Sequence, residues 1–215
     1  YGDHRDLHKE YRRQRQMCIR DRARDRPVFL FTCGSQFLKR AALSMSPSSS
    51  YSKPGEGHFL VAKSDDIVFV QVVGLGTMNN SIGFQQFIVN LEEKERRKFI
   101  FDLSLCDGFD STFMGILLGI SREAKLVVLV NTLEDHSRIL GEVGIDKFVQ
   151  LCDSPVELPE IELQRLESRA VSLNERQRVV LSAHENMVQL DSRNKEEFGQ
   201  FVDLLRDELG NETSL

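Results

Sequence analysis

Asp110-Ser111-Thr112 stands directly before Phe113, Ile116, Leu117 and Ile120, an apolar series with helical spacing. A hydroxyl at a helix start has two chemistries. It can cap the free N–H groups of the first turn, worth about 1 kcal/mol. It also sits where those groups and the helix dipole favour an anion, which suits a phosphate. On local chemistry alone, capping is the leading reading of Ser111. Asp110 reads equally well as a loop-capping carboxylate or as a partner contact, and Thr112 as structural before it reads as a second acceptor. Met114 beside Phe113 reads as core or rim packing, although an exposed Met-Phe patch would suit docking. A serine hydrolase would need a Gly-x-Ser-x-Gly elbow or another arranged base. Phe109 and Asp110 precede Ser111, and Thr112 and Phe113 follow it, so both elbow glycines are missing.

Other candidates carry less. Asp102 ends an apolar run and suits a backbone N–H partner; no second carboxylate or base is placed beside it. Gly74-Leu75-Gly76 lacks the third glycine of a dinucleotide fingerprint and reads as a turn. His136 and His184 fall on helices and read as surface or core residues. Cys18, Cys33, Cys106 and Cys152 form no CxxC pair, and no Cys/His cluster has zinc spacing. No metal or cofactor is expected, and the cysteines read as free thiols of a cytoplasmic protein.

Charge narrows the partners. Residues 1–44 hold 11 Lys/Arg against 5 Asp/Glu, whereas residues 45–215 hold 17 against 28. The acidic body argues against nucleic acid, which needs clustered Lys/Arg. No apolar run reaches the roughly 18 residues of a membrane span. Residues 1–57 read as a disordered or non-native basic leader, with Met45 as the natural start.

The elements that would position Ser111 follow. Residues 59–63 and 67–74 read as two strands of a hairpin around Ser64-Asp65-Asp66. Ile82, Phe87, Ile88 and Leu91 mark a helix capped from 79–81. Residues 99–103 form a strand covered on both faces. Residues 106–110 read as a polar loop, and a second helix spans 111–123. Gly115 and Gly119 share one face of it and would let it approach the sheet. Residues 126–130 form another strand. Thr132-Leu133-Glu134-Asp135 resembles a capping box for a third helix, with Ile139, Leu140 and Val143 as its stripe and Gly144 as its stop. Residues 148–151 form a short last strand. The order β-β-α-β-α-β-α-β predicts an α/β fold with a mixed sheet. An acidic linker over 153–171 leads to a helical extension over 172–209. Ser172 caps its first helix, and Asn194 with Glu197 starts the second, whose stripe is Phe198, Phe201, Val202, Leu205 and Leu209. Two such helices are too small to fold alone, so they pack on the body or engage a partner, with self-association as one outcome.

Four parts in order carry a resemblance: Phe101-Asp102-Leu103, Asp110-Ser111-Thr112, the strand running to Asn131, and Leu140 to Phe148 with Gly144-Ile145-Asp146 inside it. Over 58–152 the chain resembles the STAS domain family, of the bacterial anti-sigma factor antagonist type. That resemblance implies a STAS domain at 58–152 and a non-enzymatic phospho-switch in partner switching and transcription regulation. Ser111 would be the phospho-acceptor, and Asp110, Ser111, Thr112, Phe113 and Met114 the partner-binding surface. The implied partners are a serine kinase/anti-sigma factor, bound when Ser111 is unmodified, and a phosphatase. The family often has Gly where this chain has Phe113, and Gly115 keeps the family's second Gly. The competing expectation is an unphosphorylated STAS scaffold acting through its C-terminal helices.

Overall fold

The structure, a computed structural model, describes residues 57–93, 95, 97–152, 154–167 and 171–212. The basic leader and its proposed start at Met45 lie outside the described residues. Strand β1 (His58–Ser64) and strand β2 (Ile67–Gly76) form the expected antiparallel hairpin. Its two-residue loop needs a positive φ, and Asp65 supplies it at 53°. Helix α1 (Met78–Asn90), strand β3 (Lys98–Phe109), helix α2 (Ser111–Glu123), strand β4 (Leu126–Val130), helix α3 (Glu134–Val143) and strand β5 (Gln150–Leu151) follow. Strands β2, β3, β4 and β5 are mutually parallel, and the sheet is mixed as expected. Gly144 ends α3 in the left-handed conformation, φ 86°, a 3-10 turn, Ile145–Lys147, follows, and the last strand expected over 148–151 forms only at Gln150–Leu151.

Two differences have a physical cause. Residues 106–110 are not a polar loop: β3 continues through Phe109. Two register shifts against β2 let the extra residues enter the strand while Cys106 and Phe109 still turn inward. The segment after β5 is also more than a spacer. Strand β6 (Gln164–Arg165) pairs antiparallel with β1, giving a six-stranded sheet in the order β5-β4-β3-β2-β1-β6. Helix α4 (Leu173–Val188) and helix α5 (Ser192–Glu212) complete the fold.

The core is rich in phenylalanine. Phe59 from β1, Phe84 from α1, Phe99 and Phe101 from β3 and Phe113 from α2 are all buried. Phe59 stacks on Phe84 at 4.8 Å and on Phe113 at 5.7 Å, and Phe101 meets Phe113 edge-on at 6.4 Å. Such pairs add to the large apolar area each ring removes from water.

Asp102 is structural in its contacts. Its carboxylate accepts from Gln71 Nε2 (2.7 Å), Asn131 Nδ2 (2.8 Å), Ser104 N (3.0 Å) and Ser104 Oγ (2.9 Å). Asn131, in the left-handed region at φ 57°, also bonds both N and O of Val156 at 2.8 Å. One buried carboxylate thus ties β2, β3 and the end of β4, and through Asn131 holds the chain beyond β5. Asp102→Asn puts amide protons against donors and should cost about 2 kcal/mol. Urea unfolding checks this, and a loss below about 0.5 kcal/mol would contradict it.

Candidate functional site

Strands β2 and β3 are parallel neighbours, and Gly76 pairs with Phe109 at their ends. Helices α1 and α2 therefore start side by side. Asp110, the N-cap of α2, serves both: one carboxylate oxygen accepts from Phe113 N at 3.0 Å, the other from Met78 N at 2.7 Å. A single negative group bridges two positive helix ends. The capping role considered for Ser111 thus belongs to Asp110, and Ser111 is the first helical residue. On α1 the cap is Thr77, just before the expected 79–81, with Asn80 Oδ1 accepting from Thr77 N at 2.8 Å.

Ser111 is only 7% exposed, and Thr112, Phe113 and Met114 are buried too. What covers Ser111 is α4. His184, 1% exposed, places Nε2 3.0 Å from Ser111 Oγ and Nδ1 2.8 Å from the Val180 carbonyl. A carbonyl only accepts, so Nδ1 carries the proton and Nε2 accepts from the Ser111 hydroxyl. The rings of Phe201, at 4.8 Å, and Phe198, at 5.6 Å, close over the imidazole from α5. Burial holds the His184 pKa down at about 4 against the usual 6.5, with the Val180 bond opposing weakly. The imidazole is therefore neutral near pH 7.

Gly115 and Gly119 do not face the sheet. A Cβ on Gly115 would overlap the Ala183 carbonyl, and one on Gly119 would sit 2.8 Å from Asn186 Nδ2. These glycines let α4 approach α2 closely. Asn186 Nδ2 donates to the Gly115 carbonyl at 3.1 Å, and Arg122 donates to the Asn186 carbonyl at 3.2 Å. Arg122 also approaches Gln189 Oε1 at 3.4 Å.

The expected stripe of α5 is buried as Phe198, Phe201, Val202, Leu205 and Leu209. Its N-terminus differs from expectation. The helix starts at Ser192, and Asp191 accepts from Asn194 N at 3.0 Å. The buried Asn194 side chain instead donates to the carbonyls of Val143 (3.0 Å) and Met187 (3.1 Å), joining α3, α4 and α5. The apolar stripe of α5 is thus packed within one chain. Ser172 caps α4 as expected, accepting from Glu175 N at 3.1 Å.

The pairing of Ser111 with His184 was not legible in either residue. One signal did exist. From Ser111 to Leu118 every residue of α2 is buried, and its sequence is apolar or small almost all round. A helix of that kind needs cover on both sides. His136 is also buried, at the start of α3, where Nδ1 accepts from Leu133 N at 3.3 Å; the cap lies there rather than in Thr132. Cys106 is buried, its thiol pushed up to about 12 by burial and facing the Gly108 carbonyl at 3.4 Å. Among the described residues no group of three or more His, Cys, Asp or Glu could hold a metal ion, and no helix is long and apolar enough to cross a membrane.

A mixed sheet closed by helices, with an Asp-Ser-Thr helix start at the ends of its parallel strands, defines a mixed α/β architecture. Residues 58–158 match the family model of the STAS domain. The matched region takes in β1 through β5 and the Asn131–Val156 clamp, and ends before β6, α4 and α5. STAS domains are in general binding modules, so protein–protein interaction is the activity class this region supports. No curated protein matches the chain.

Proposed function

We propose that the protein is a non-enzymatic interaction module of the anti-sigma factor antagonist kind. Its α2 start binds a serine kinase/anti-sigma partner while Ser111 is unmodified, and phosphorylation of Ser111 releases that partner. The observation that carries this reading is Ser111 at the first position of α2, directly after the Asp110 cap. The kinase transfers the γ-phosphoryl group of ATP to Ser111 Oγ. The hydroxyl proton leaves to a kinase base and ADP departs; a phosphatase later hydrolyses the ester. The added charge, about −1.5 to −2, stands beside the Asp110 carboxylate and among buried apolar groups. Repulsion and desolvation then oppose the bound state by about 3 kcal/mol, more than roughly a hundredfold in affinity.

The domain division goes with this reading: a STAS body from 58 to 152, a connection over 153–171 and a helical extension over 172–209. Hydrolysis at Ser111 is disfavoured, because His184 Nδ1 faces a carbonyl instead of a carboxylate and the pair is shut from solvent. The test is capture of a kinase-type ATPase from host extract on the full chain, followed by phosphate mapping with ATP. Wild type should retain the partner and accept phosphate on Ser111, and Ser111→Asp should bind roughly a hundredfold more weakly. Equal retention by both would defeat the switch.

A second reading, an unphosphorylated scaffold working through its C-terminal helices, draws on the burial of Ser111 under His184. Phosphate absent from Ser111 in a complex that depends on α4 would favour it.

A further inference from the structure

The surface assigned to the partner is already occupied. Ser111, Thr112, Phe113 and Met114 are buried, and on the outer side of α2 the covering element is α4. The two sides of α2 are built differently. Toward the sheet, Phe113 meets Phe59, Phe101 and Phe109, with centroids 5.6 to 6.4 Å apart. Toward α4, Gly115 meets Ala183, Gly119 meets Asn186, the Ser111 hydroxyl donates to His184, Asn186 donates to the Gly115 carbonyl and Arg122 to the Asn186 carbonyl, while Ala183 and Met187 of α4 and Phe198 of α5 join the main core cluster. Glycine and alanine remove little apolar area from water, so geometry and polar pairing carry a larger share of this side than of the phenylalanine-lined sheet side. Helix α4 also leaves open space against α1 and, in part, against α2. A groove of about 430 Å³ lies between Val89 and Gln86 of α1 and Arg178 and Val179 of α4. A second cavity of about 230 Å³ lies beside Ile116 and Ile120 of α2. Beyond it, Val180, Phe201 and Leu205 form a small cluster of their own, whereas Ala183, Met187 and Phe198 of the same helices belong to the main core. Helices packed on the outside of a sheet can open at lower free energy than the central strands they rest on.

We propose that the α4–α5 pair is a releasable cover on the start of α2, latched by the Ser111–His184 hydrogen bond. In the closed state the Ser111 hydroxyl is spent on His184 and the backbone of α4 lies on Gly115. A partner for the α2 start therefore competes with the chain's own helix. Its apparent affinity is its intrinsic affinity scaled by the open fraction. A group larger than a hydroxyl on Ser111, and unable to donate to Nε2, holds the cover open. This rests on the reading of the α2 start as the docking surface, and it adds regulation in cis to that surface.

Hydrogen exchange read by mass spectrometry on the full chain tests it without any partner. The comparison is wild type, Ser111→Ala and Ser111→Glu. In Ser111→Glu, amides of α4 and α5 should exchange roughly tenfold faster or more, while β3 and β4 keep wild-type protection. Ser111→Ala, which loses the bond but adds no bulk, should fall between the two. Unchanged protection of α4 in Ser111→Glu overturns the latch. Equal loss of protection in β3 and β4 also overturns it, because the helices would then be inseparable from the core. Either failure leaves partner capture by the wild-type chain to be judged separately, and failed capture with a releasing cover would indict the kinase partner alone.

Discussion

Phe113→Ala lowers the unfolding free energy by about 4 kcal/mol, the middle of the range for removing a buried ring. The ring is 1% exposed and sits at the meeting point of β1, β3, α1 and α2. Phe59 stacks on it at 5.7 Å, Phe109 lies at 5.6 Å, Phe101 meets it edge-on, and Gly76 passes beneath, where a Cβ would come within 3.2 Å of it. Removing the ring leaves a cavity whose walls belong to four elements, so no single side chain can collapse into it. Where the family pattern often has glycine, this chain therefore has a keystone of its core. Urea unfolding of the full chain measures the effect as a lower midpoint with an unchanged slope. A loss below about 1 kcal/mol would mean that the ring does not anchor α2 to the sheet.

Acidification between pH 6.5 and 4 removes about 3 kcal/mol of stability through His184 alone. The sign follows from burial. In the folded protein the imidazole is held at a pKa of about 4, whereas in the unfolded chain it returns to 6.5. Above pH 6.5 the ring is neutral in both states and the full stability is present. As pH falls below 6.5 the unfolded chain takes up a proton that the folded chain refuses, at about 1.4 kcal/mol per pH unit. The loss levels off once pH passes below about 4 and the folded state binds the proton as well. Comparing wild type with His184→Gln by urea unfolding at pH 7.5 and 4.5 isolates this contribution, since the carboxylates titrate alike in both. The wild type should lose about 3 kcal/mol more than the variant over that interval. Equal losses would show that the ring is solvated or already charged.

The two effects act on opposite sides of α2. One side joins the helix to the sheet and is apolar; the other joins it to α4 and is polar at its centre. Losing Phe113 weakens the body, while protonating His184 puts a desolvated charge into the contact between the helical pair and Ser111. At moderately acid pH the cover should therefore loosen before the sheet does.

Local chemistry alone determined a good deal of this protein. The hairpin around Asp65, the helix starting at Ser111, the left-handed stop at Gly144, the Ser172 cap and the inward stripe of α5 each depend on neighbours within one or two turns or on strict periodicity. Those forces act between residues close in the chain, so they are written in its order. Other features waited on the tertiary structure. The continuation of β3 to Phe109 required β2 as a pairing edge with its register shifts. The donors around Asp102 come from β2, from β3 itself and from the end of β4. The direction in which Gly115 and Gly119 face depended on a helix that begins more than fifty residues later. An apolar pattern says that a face must be covered, but not by what. Asp110-Ser111 was visible as a helix start. Only the packing of α4 decided that Asp110 would cap while the Ser111 hydroxyl would turn to His184 and leave solvent.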